Sequence, residues 1–226
     1  MNSTRRSFIK KAGMLAGITF FAPALRASQS VALPKVLILG DSISIGYTPY
    51  LKEILINEAE VTRPNENCQG TTNGVLKIDT WLGDTRWDII HFNFGLHDLK
   101  HVDAVTRKNS NKPEDPHQAD IKTYKKNLEA ITKKLKATGA KLIFANTTPF
   151  PDNIINPLRR SDQVLKYNKT ALKIMKKNGV VIDDLYGYAL TIMKTLQIPN
   201  NVHFTKEGSQ ALAQKVAESI RLAIRS

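Results

Sequence analysis

Short apolar runs alternate along the chain with segments in which apolar residues recur every three or four positions. The runs have the length of buried strands, and the recurring positions have the spacing of one helix face. We predict strands at Lys35–Leu39, Glu60–Arg63, Asp88–Phe94, Lys141–Ala145 and Val180–Asp183. We predict helices over Thr48–Ala59, Ile121–Leu135 and Val164–Met175, and a terminal helix striped by Leu212, Val216 and Ile220.

The order of these elements predicts the fold class. Strands that are apolar throughout and separated by helices form parallel sheets that are covered on both faces. We therefore predict an α/β fold, a single three-layer α/β/α sandwich with a parallel sheet of about five strands. Residues 99–119 are polar and contain Pro113 and Pro116, which indicates a loop. No internal repeat or shift in composition indicates a second domain.

The first 27 residues differ in pattern from the rest of the chain. Arg5 and Arg6 precede an apolar stretch over residues 12–25, and small residues surround Ala27. This pattern predicts a twin-arginine export signal over residues 1–27, with a periplasmic or secreted domain over residues 28–226. An uncleaved anchor or a basic arm is the alternative. The apolar stretch is short and interrupted by Gly and Pro, so no stable membrane span is expected once the signal is removed.

Charge and composition narrow the classes of partner. The formal net charge is +13, and the five basic residues of the predicted signal leave +8 on residues 28–226. Such a surface attracts acidic polysaccharide or anionic lipid over long range. Nucleic-acid binding is not expected, because the chain has neither a Gly-rich phosphate loop nor interleaved aromatic residues. The single cysteine, Cys68, is interpreted as a buried free thiol, and Cys-His catalysis is the weaker alternative.

Candidate chemistry gathers where the predicted strands end. Gly-Asp-Ser at 40–42 follows the first strand, Gly-Leu-His-Asp at 95–98 follows the third, and Thr-Thr-Pro at 147–149 follows the fourth. The carboxyl ends of parallel strands form the edge of the sheet where ligands bind. His203 lies in a loop before the terminal helix and can fold back over that edge. A serine, an imidazole and backbone N–H donors are the groups that acyl transfer requires.

Other interpretations of these residues remain open from the sequence. For Asp41, a role as a structural hydrogen-bond partner is favoured over a role as a catalytic acid. The i, i+4 spacing of His97 and His101 suits metal on a helix, but the accompanying glutamate is absent and the context is a loop, so we expect no metal and no cofactor. The pair Arg159-Arg160 can clamp an acidic substrate group, although two solvated side chains are the favoured interpretation.

The order and spacing of three motifs resemble the GDSL-type, or SGNH, hydrolases. The motifs are Gly-Asp-Ser near the start, the Gly-x-x-Asp element at 95–98 and the late x-x-x-His at 200–203. The resemblance spans nearly the whole chain from Val36 to the terminal helix. It implies a flavodoxin-like sheet and a serine esterase that uses no metal. It also implies that Ser42 is the nucleophile and His203 the general base.

Two positions depart from the family pattern. The family's middle motif has asparagine where this chain has His97, and an imidazole N–H can also donate to an oxyanion. The family's late motif has aspartate where this chain has Asn200, whose carbonyl can accept from Nδ1–H of His203. The alternatives are that Ser42 and His203 act as a dyad, or that the carboxylate of Asp183 or Asp184 approaches His203.

The family's second motif supplies a glycine to the oxyanion hole. Gly70 fits that role here, with Gln69 as the competing register and Asn73 as an additional polar neighbour. Together the motifs predict a serine esterase. Export, the short chain and the absence of a large apolar lid in the sequence favour a small acyl group, above all acetyl, on a small-molecule, oligosaccharide or polysaccharide ester. A lysophospholipase or thioesterase, or a non-catalytic carbohydrate-binding protein on the same scaffold, are the alternatives.

Overall fold

Five parallel strands form the centre of the structure, a computed structural model that describes residues 32–152 and 156–226. The strands are β1 Lys35–Leu39, β2 Glu60–Thr62, β3 Ile89–Phe92, β4 Lys141–Ala145 and β5 Val181–Asp183. Their order in the sheet is β2-β1-β3-β4-β5. The predicted three-layer sandwich is therefore confirmed. The predicted export signal lies outside the described residues.

Six helices cover the sheet. They are α1 Ser42–Ile54, α2 Thr71–Leu82, α3 Ile121–Ala137, α4 Ser161–Asn178, α5 Leu185–Leu196 and α6 Lys206–Arg225. Helices α1, α5 and α6 contact one another in series, as do α2, α3 and α4, so each group forms one outer layer. Both faces of the sheet are buried, which explains why its strands are apolar at successive positions. Among the helices of the described residues, none is long and apolar enough to cross a membrane.

The strand order locates the binding edge. From β1 the chain moves to β2 on one side, whereas β3, β4 and β5 follow on the other side. The order therefore reverses between β1 and β3, and ligands bind in the crevice at such a switch point. Ser42 lies three residues after the end of β1, and the segment Gly95–Asp98 lies just after β3. Both motifs thus flank the crevice.

Helix α1 begins at Ser42, six residues before Thr48, where the sequence pattern predicts its start. Asp41 starts it, because its side chain accepts a hydrogen bond from the backbone N–H of Ile43 and so satisfies one of the free donors of the first turn. Pro49 lies inside the helix and masks its true extent in the sequence pattern. Helices α2 and α5 were not predicted from periodicity.

Candidate active site

Ser42 stands at the positive end of α1, on the carboxyl edge of the sheet. Asp41 fixes this turn: its Oδ1 accepts from the backbone N–H of Ile43 at 2.9 Å. Asp41 is buried, and burial raises the pKa of its carboxyl to about 6 against the lowering effect of that hydrogen bond. The structure thus uses Asp41 as a helix cap, while the neighbouring hydroxyl of Ser42 is left half-buried.

The structure brings Ser42 and His203 together from opposite ends of the domain. Nε2 of His203 lies 2.7 Å from Oγ of Ser42. His203 lies in the loop between α5 and α6, three residues before α6 begins. A hydroxyl and an imidazole at this distance form a hydrogen bond along which a proton can move.

Asn201 sets the protonation pattern of the imidazole. Its Oδ1 lies 2.7 Å from Nδ1 of His203 and also accepts from the backbone N–H of His203 at 3.0 Å. Because a backbone N–H can only donate, the atom that faces it is the amide oxygen. Nδ1 must then carry a proton and donate it to the same oxygen, which leaves Nε2 as the acceptor for Ser42.

The partner of Nδ1 is therefore one residue later than predicted. The family spacing pointed to Asn200, whereas the structure places the Asn201 oxygen at Nδ1. Two residues of separation let one side-chain oxygen reach both the backbone and the ring of His203, in the manner of an Asx turn. Asn200 adopts a left-handed conformation with φ 54°, which asparagine tolerates better than most residues.

The two aspartates considered as alternatives lie elsewhere. Oδ2 of Asp183 is 3.0 Å from Nε2 of His91, and both side chains are fully buried in the sheet. Asp184 caps α5 and accepts from the side-chain amide of Asn146 at 2.7 Å. Neither carboxylate takes the position at Nδ1 that Asn201 occupies.

The charge around His203 favours a neutral ring. Burial lowers the pKa of His203, and the positive charge of Arg159 lowers it further. A carboxylate beside Nδ1 would act in the opposite direction. The pKa of His203 therefore lies below the ordinary histidine value, and the ring stays available as an unprotonated base at correspondingly lower pH.

The second side of the crevice is built around Gly70, the residue before α2. A Cβ on Gly70 would lie 3.0 Å from Oδ2 of Asp98, so this position has little room for a side chain. Oδ1 of Asp98 accepts from the backbone N–H of Thr71 at 2.8 Å and from its hydroxyl. Asp98 is fully buried, and burial raises the pKa of its carboxyl to about 7 despite these hydrogen bonds. Asp98 therefore ties the start of α2 to the motif that follows β3.

His97 and Asn73 were predicted to contribute polar groups here. Burial lowers the pKa of His97 to about 3, helped by the positive charges of Lys100 and Arg159, so the ring is neutral at pH 7. A neutral imidazole retains one N–H donor. The side-chain amide of Asn73 donates to the carbonyl of Cys68 at 3.1 Å, so it supports the loop before α2.

The remaining sequence alternatives find other positions. Cys68 is fully buried and burial raises the pKa of its thiol to about 11, which disfavours a nucleophilic thiolate. His101 pairs across the loop with His117, the two rings lying 4.6 Å apart, rather than with His97. Across the described parts of the chain, no group of three or more His, Cys, Asp or Glu side chains is placed to hold a metal ion.

The family follows from this order of motifs and from direct comparison. The family model of GDSL-like lipases and acylhydrolases matches residues 38–211, which include Ser42 and His203. The chain belongs to the GDSL-like lipase/acylhydrolase family. It is accordingly an ester-hydrolysing enzyme, and the predicted resemblance is confirmed.

Solved structures share the fold of this family member at low sequence identity. The acetyl xylan esterase AlAXEase is 16% identical with a TM-score of 0.67, over 82% of this chain and 99% of that one. The lipase/acylhydrolase from Enterococcus faecalis is 20% identical with a TM-score of 0.66, over 84% and 96%. The acetylxylan esterase Axe2 from Geobacillus stearothermophilus is 16% identical with a TM-score of 0.67, over 83% and 94%. No curated protein sequence is significantly similar to the chain.

Sequence reasoning missed two residues that shape the site of this GDSL-like hydrolase. Asn201 was passed over for its neighbour, although the spacing Asn-x-His is itself a signal for a local side-chain hydrogen bond to the backbone. The sequence favours two solvated side chains for Arg159 and Arg160, but only Arg160 is exposed, where it pairs with Asp162. Arg159 is buried against Leu96, and no local pattern distinguishes the two arginines.

Proposed function

We propose that this protein is an exported serine esterase that removes small acyl groups, chiefly acetyl, from carbohydrate. The hydrogen-bond chain from Ser42 through His203 to Asn201 carries the proposal, because it presents a hydroxyl to an imidazole in the tautomer that can take its proton. The names of the fold neighbours support the substrate class, since several are acetyl xylan esterases.

The proposed reaction proceeds through an acyl-enzyme. Oγ of Ser42 attacks the ester carbonyl carbon while its proton passes to Nε2 of His203. The tetrahedral intermediate then expels the sugar alkoxide, which takes the proton from His203 and leaves as the alcohol. Water attacks the acyl-enzyme with His203 again as base, releasing the carboxylic acid and restoring Ser42.

Donors for the oxyanion come from both sides of the crevice in this proposal. The backbone N–H groups of Ser42 and Gly70 lie at or beside the starts of α1 and α2, where the helix dipoles favour negative charge. His97 supplies a third donor in the place of the family's asparagine. Because this ring is neutral, its contribution does not depend on proton uptake near neutral pH.

Acyl chain length distinguishes the proposed substrate class from the lipolytic alternative. We favour a small acyl group on a polar substrate because several fold neighbours are acetyl xylan esterases by name, whereas a long lipid chain requires a large apolar pocket. The family itself includes lipases, so acyl length is the property to measure.

The decisive test compares Ser42→Ala with the wild type. We expect hydrolysis of p-nitrophenyl acetate, and acetate release from acetylated xylo-oligosaccharides, to fall by at least about a thousandfold. Ser44→Ala, in the same turn of helix, is the matched control and should stay within about tenfold. Equal rates for the wild type and Ser42→Ala would refute the mechanism. A kcat/KM that rises from acetyl to octanoyl esters would favour a lysophospholipase or thioesterase instead.

Export is the part of the proposal that rests on residues 1–27. Replacement of Arg5 and Arg6 by lysine should hold the enzyme in the cytoplasm of a host with a twin-arginine pathway, as measured by cell fractionation. Unchanged export of that variant would contradict the proposed signal.

A further inference from the structure

A buried arginine lies beside the proposed catalytic residues. Arg159 belongs to the segment between β4 and α4, on the same edge of the sheet as Ser42, and its residue is only 8% exposed. Its Nε donates to the carbonyl of Leu96 at 2.8 Å, directly before His97. Nη1 lies 3.5 Å from the carbonyl of Pro157, at the limit of a hydrogen bond. The guanidinium is thus held in place through one edge.

The charge of Arg159 reaches both sides of the crevice. It lowers the pKa values of His203 and His97 and opposes the rise that burial causes at Asp41. Burial in turn lowers the pKa of Arg159 to about 10, which keeps it charged at neutral pH. Its hydrogen bond to Leu96 places it against the segment Gly95–Asp98, which flanks the crevice.

No carboxylate of the described residues forms an ion pair with this guanidinium within 4.0 Å. Asp41 attracts this charge only over a longer distance. A buried charge that is not directly paired is costly, and proteins ordinarily pair or expose such groups. A guanidinium presents a planar fork of donors that matches a carboxylate. A buried arginine at the binding edge that bonds only to backbone carbonyls, with no carboxylate of the described residues in direct contact, is suited to an anionic group of a ligand.

We propose that Arg159 binds a carboxylate of the substrate, so that this enzyme prefers acidic esters to neutral ones. The inference rests on the proposed esterase function and specifies its substrate class. An acetylated sugar acid carries the carboxylate on the alcohol side of the ester, whereas a dicarboxylic half-ester carries it on the acyl side. The excess of positive charge on the domain acts in the same direction, since it attracts acidic substrates.

Two matched substrate pairs distinguish these sources. On the alcohol side, 4-acetoxybenzoate is compared with its neutral methyl ester. On the acyl side, p-nitrophenyl hydrogen glutarate is compared with p-nitrophenyl butyrate. The ratio of kcat/KM within each pair is measured for the wild type, Arg159→Gln, Arg159→Lys and the neighbouring control Arg160→Gln. Because intrinsic reactivity cancels between enzymes, the change in this ratio reports recognition of the carboxylate.

We expect the wild type to favour the acidic member of one pair by at least about tenfold, mainly through KM. Arg159→Gln should abolish that preference, Arg159→Lys should keep part of it, and Arg160→Gln should leave it unchanged. Ser42-dependent hydrolysis of the neutral esters, at any rate above background, verifies that a variant retains an active site, and the ratio within each pair then removes any change in the basal rate.

An unchanged ratio in Arg159→Gln would overturn the inference. So would a wild type that hydrolyses the neutral esters through Ser42 but shows no preference in either pair, and the proposed function would then still stand. Loss of Ser42-dependent hydrolysis for all four esters would refute the proposed function and the inference with it. If Arg159→Gln does not fold, wild-type inhibition decides: benzoate should compete with the methyl ester and benzamide should not, and equal inhibition by the two would refute the inference.

Discussion

The two helix starts that flank the crevice are held by carboxylates in different ways. At α1 the cap is local, because Asp41 binds the backbone of Ile43 two residues later. At α2 the residue before the helix is Gly70, and the backbone N–H of Thr71 is bound by the carboxylate of Asp98, 27 residues after Thr71 in the chain. The first arrangement orients Ser42, whereas the second connects the start of α2 with the segment Gly95–Asp98. The nucleophile side thus depends on local sequence and the oxyanion side on tertiary structure.

The largest effect on the free energy of unfolding is expected when the two carboxylates are removed, one at a time. Asp98→Ala leaves the N–H and hydroxyl of Thr71 buried without this acceptor, and should cost about 2–4 kcal/mol of unfolding free energy. Asp41→Ala removes a local helix cap, which costs about 1 kcal/mol. Urea unfolding at pH 7 measures both. A larger loss for Asp41→Ala than for Asp98→Ala would contradict the comparison.

Asp98→Asn is the matched control, since an amide oxygen can still accept from Thr71. The pH dependence sharpens the result. Burial raises the pKa of Asp98 in the folded state to about 7 from an ordinary value of 3.8, so the folded protein binds the proton more tightly. This group therefore contributes a loss of stability as the pH rises from about 4 to 7. Asp98→Asn should lack that contribution, which the difference in urea midpoint between variant and wild type across this range will show.

A smaller effect is expected from filling the space at Gly70. The added methyl of Gly70→Ala meets the carboxylate of Asp98 at 3.0 Å, so one of the two must shift. We expect a loss of about 1–2 kcal/mol of unfolding free energy and a lower kcat, because the N–H of Gly70 moves with its residue. Leu76→Ala, at a largely exposed position of α2, is the control. Wild-type kcat in a stable Gly70→Ala would contradict the role proposed for Gly70.

The smallest effect is expected on the nucleophile side, from Asn201→Asp. The carboxylate keeps both hydrogen bonds to His203 and adds a negative charge, which raises the pKa of the imidazole. The acid limb of kcat/KM should therefore move to higher pH, from a wild-type position below about 6.5. The gain in rate should stay below about tenfold. The loss of about 10⁴ for aspartate-to-asparagine exchange in serine proteases is attributed to a wrong tautomer, and the tautomer here is already correct.

Asn200→Asp is the matched control for that experiment, because it places the same charge one residue earlier. A larger shift of the acid limb for Asn200→Asp than for Asn201→Asp would return the orienting role to the residue that the family spacing indicates.

The comparison also explains which parts of the molecule can be predicted from sequence. The buried strands and the serine turn follow from local patterns, because Lys35–Leu39 and Lys141–Ala145 are continuous apolar runs and Asp41 caps its own helix. Helix α2 did not emerge, since its first-turn acceptor lies on Asp98 and its sequence includes Gly74 and several polar residues. The choices between neighbours, Asn200 or Asn201 and Arg159 or Arg160, depend on packing that periodicity does not describe.

The amide of Asn201 has one further consequence. It cannot ionise, so the contact that orients the imidazole has the same form in acid and in alkali. Between Asn201 and Ser42, His203 is therefore the one group that takes up a proton as the medium becomes more acidic. Its ring signals in an NMR titration should report that protonation, and Asn201→Asp should move it to higher pH.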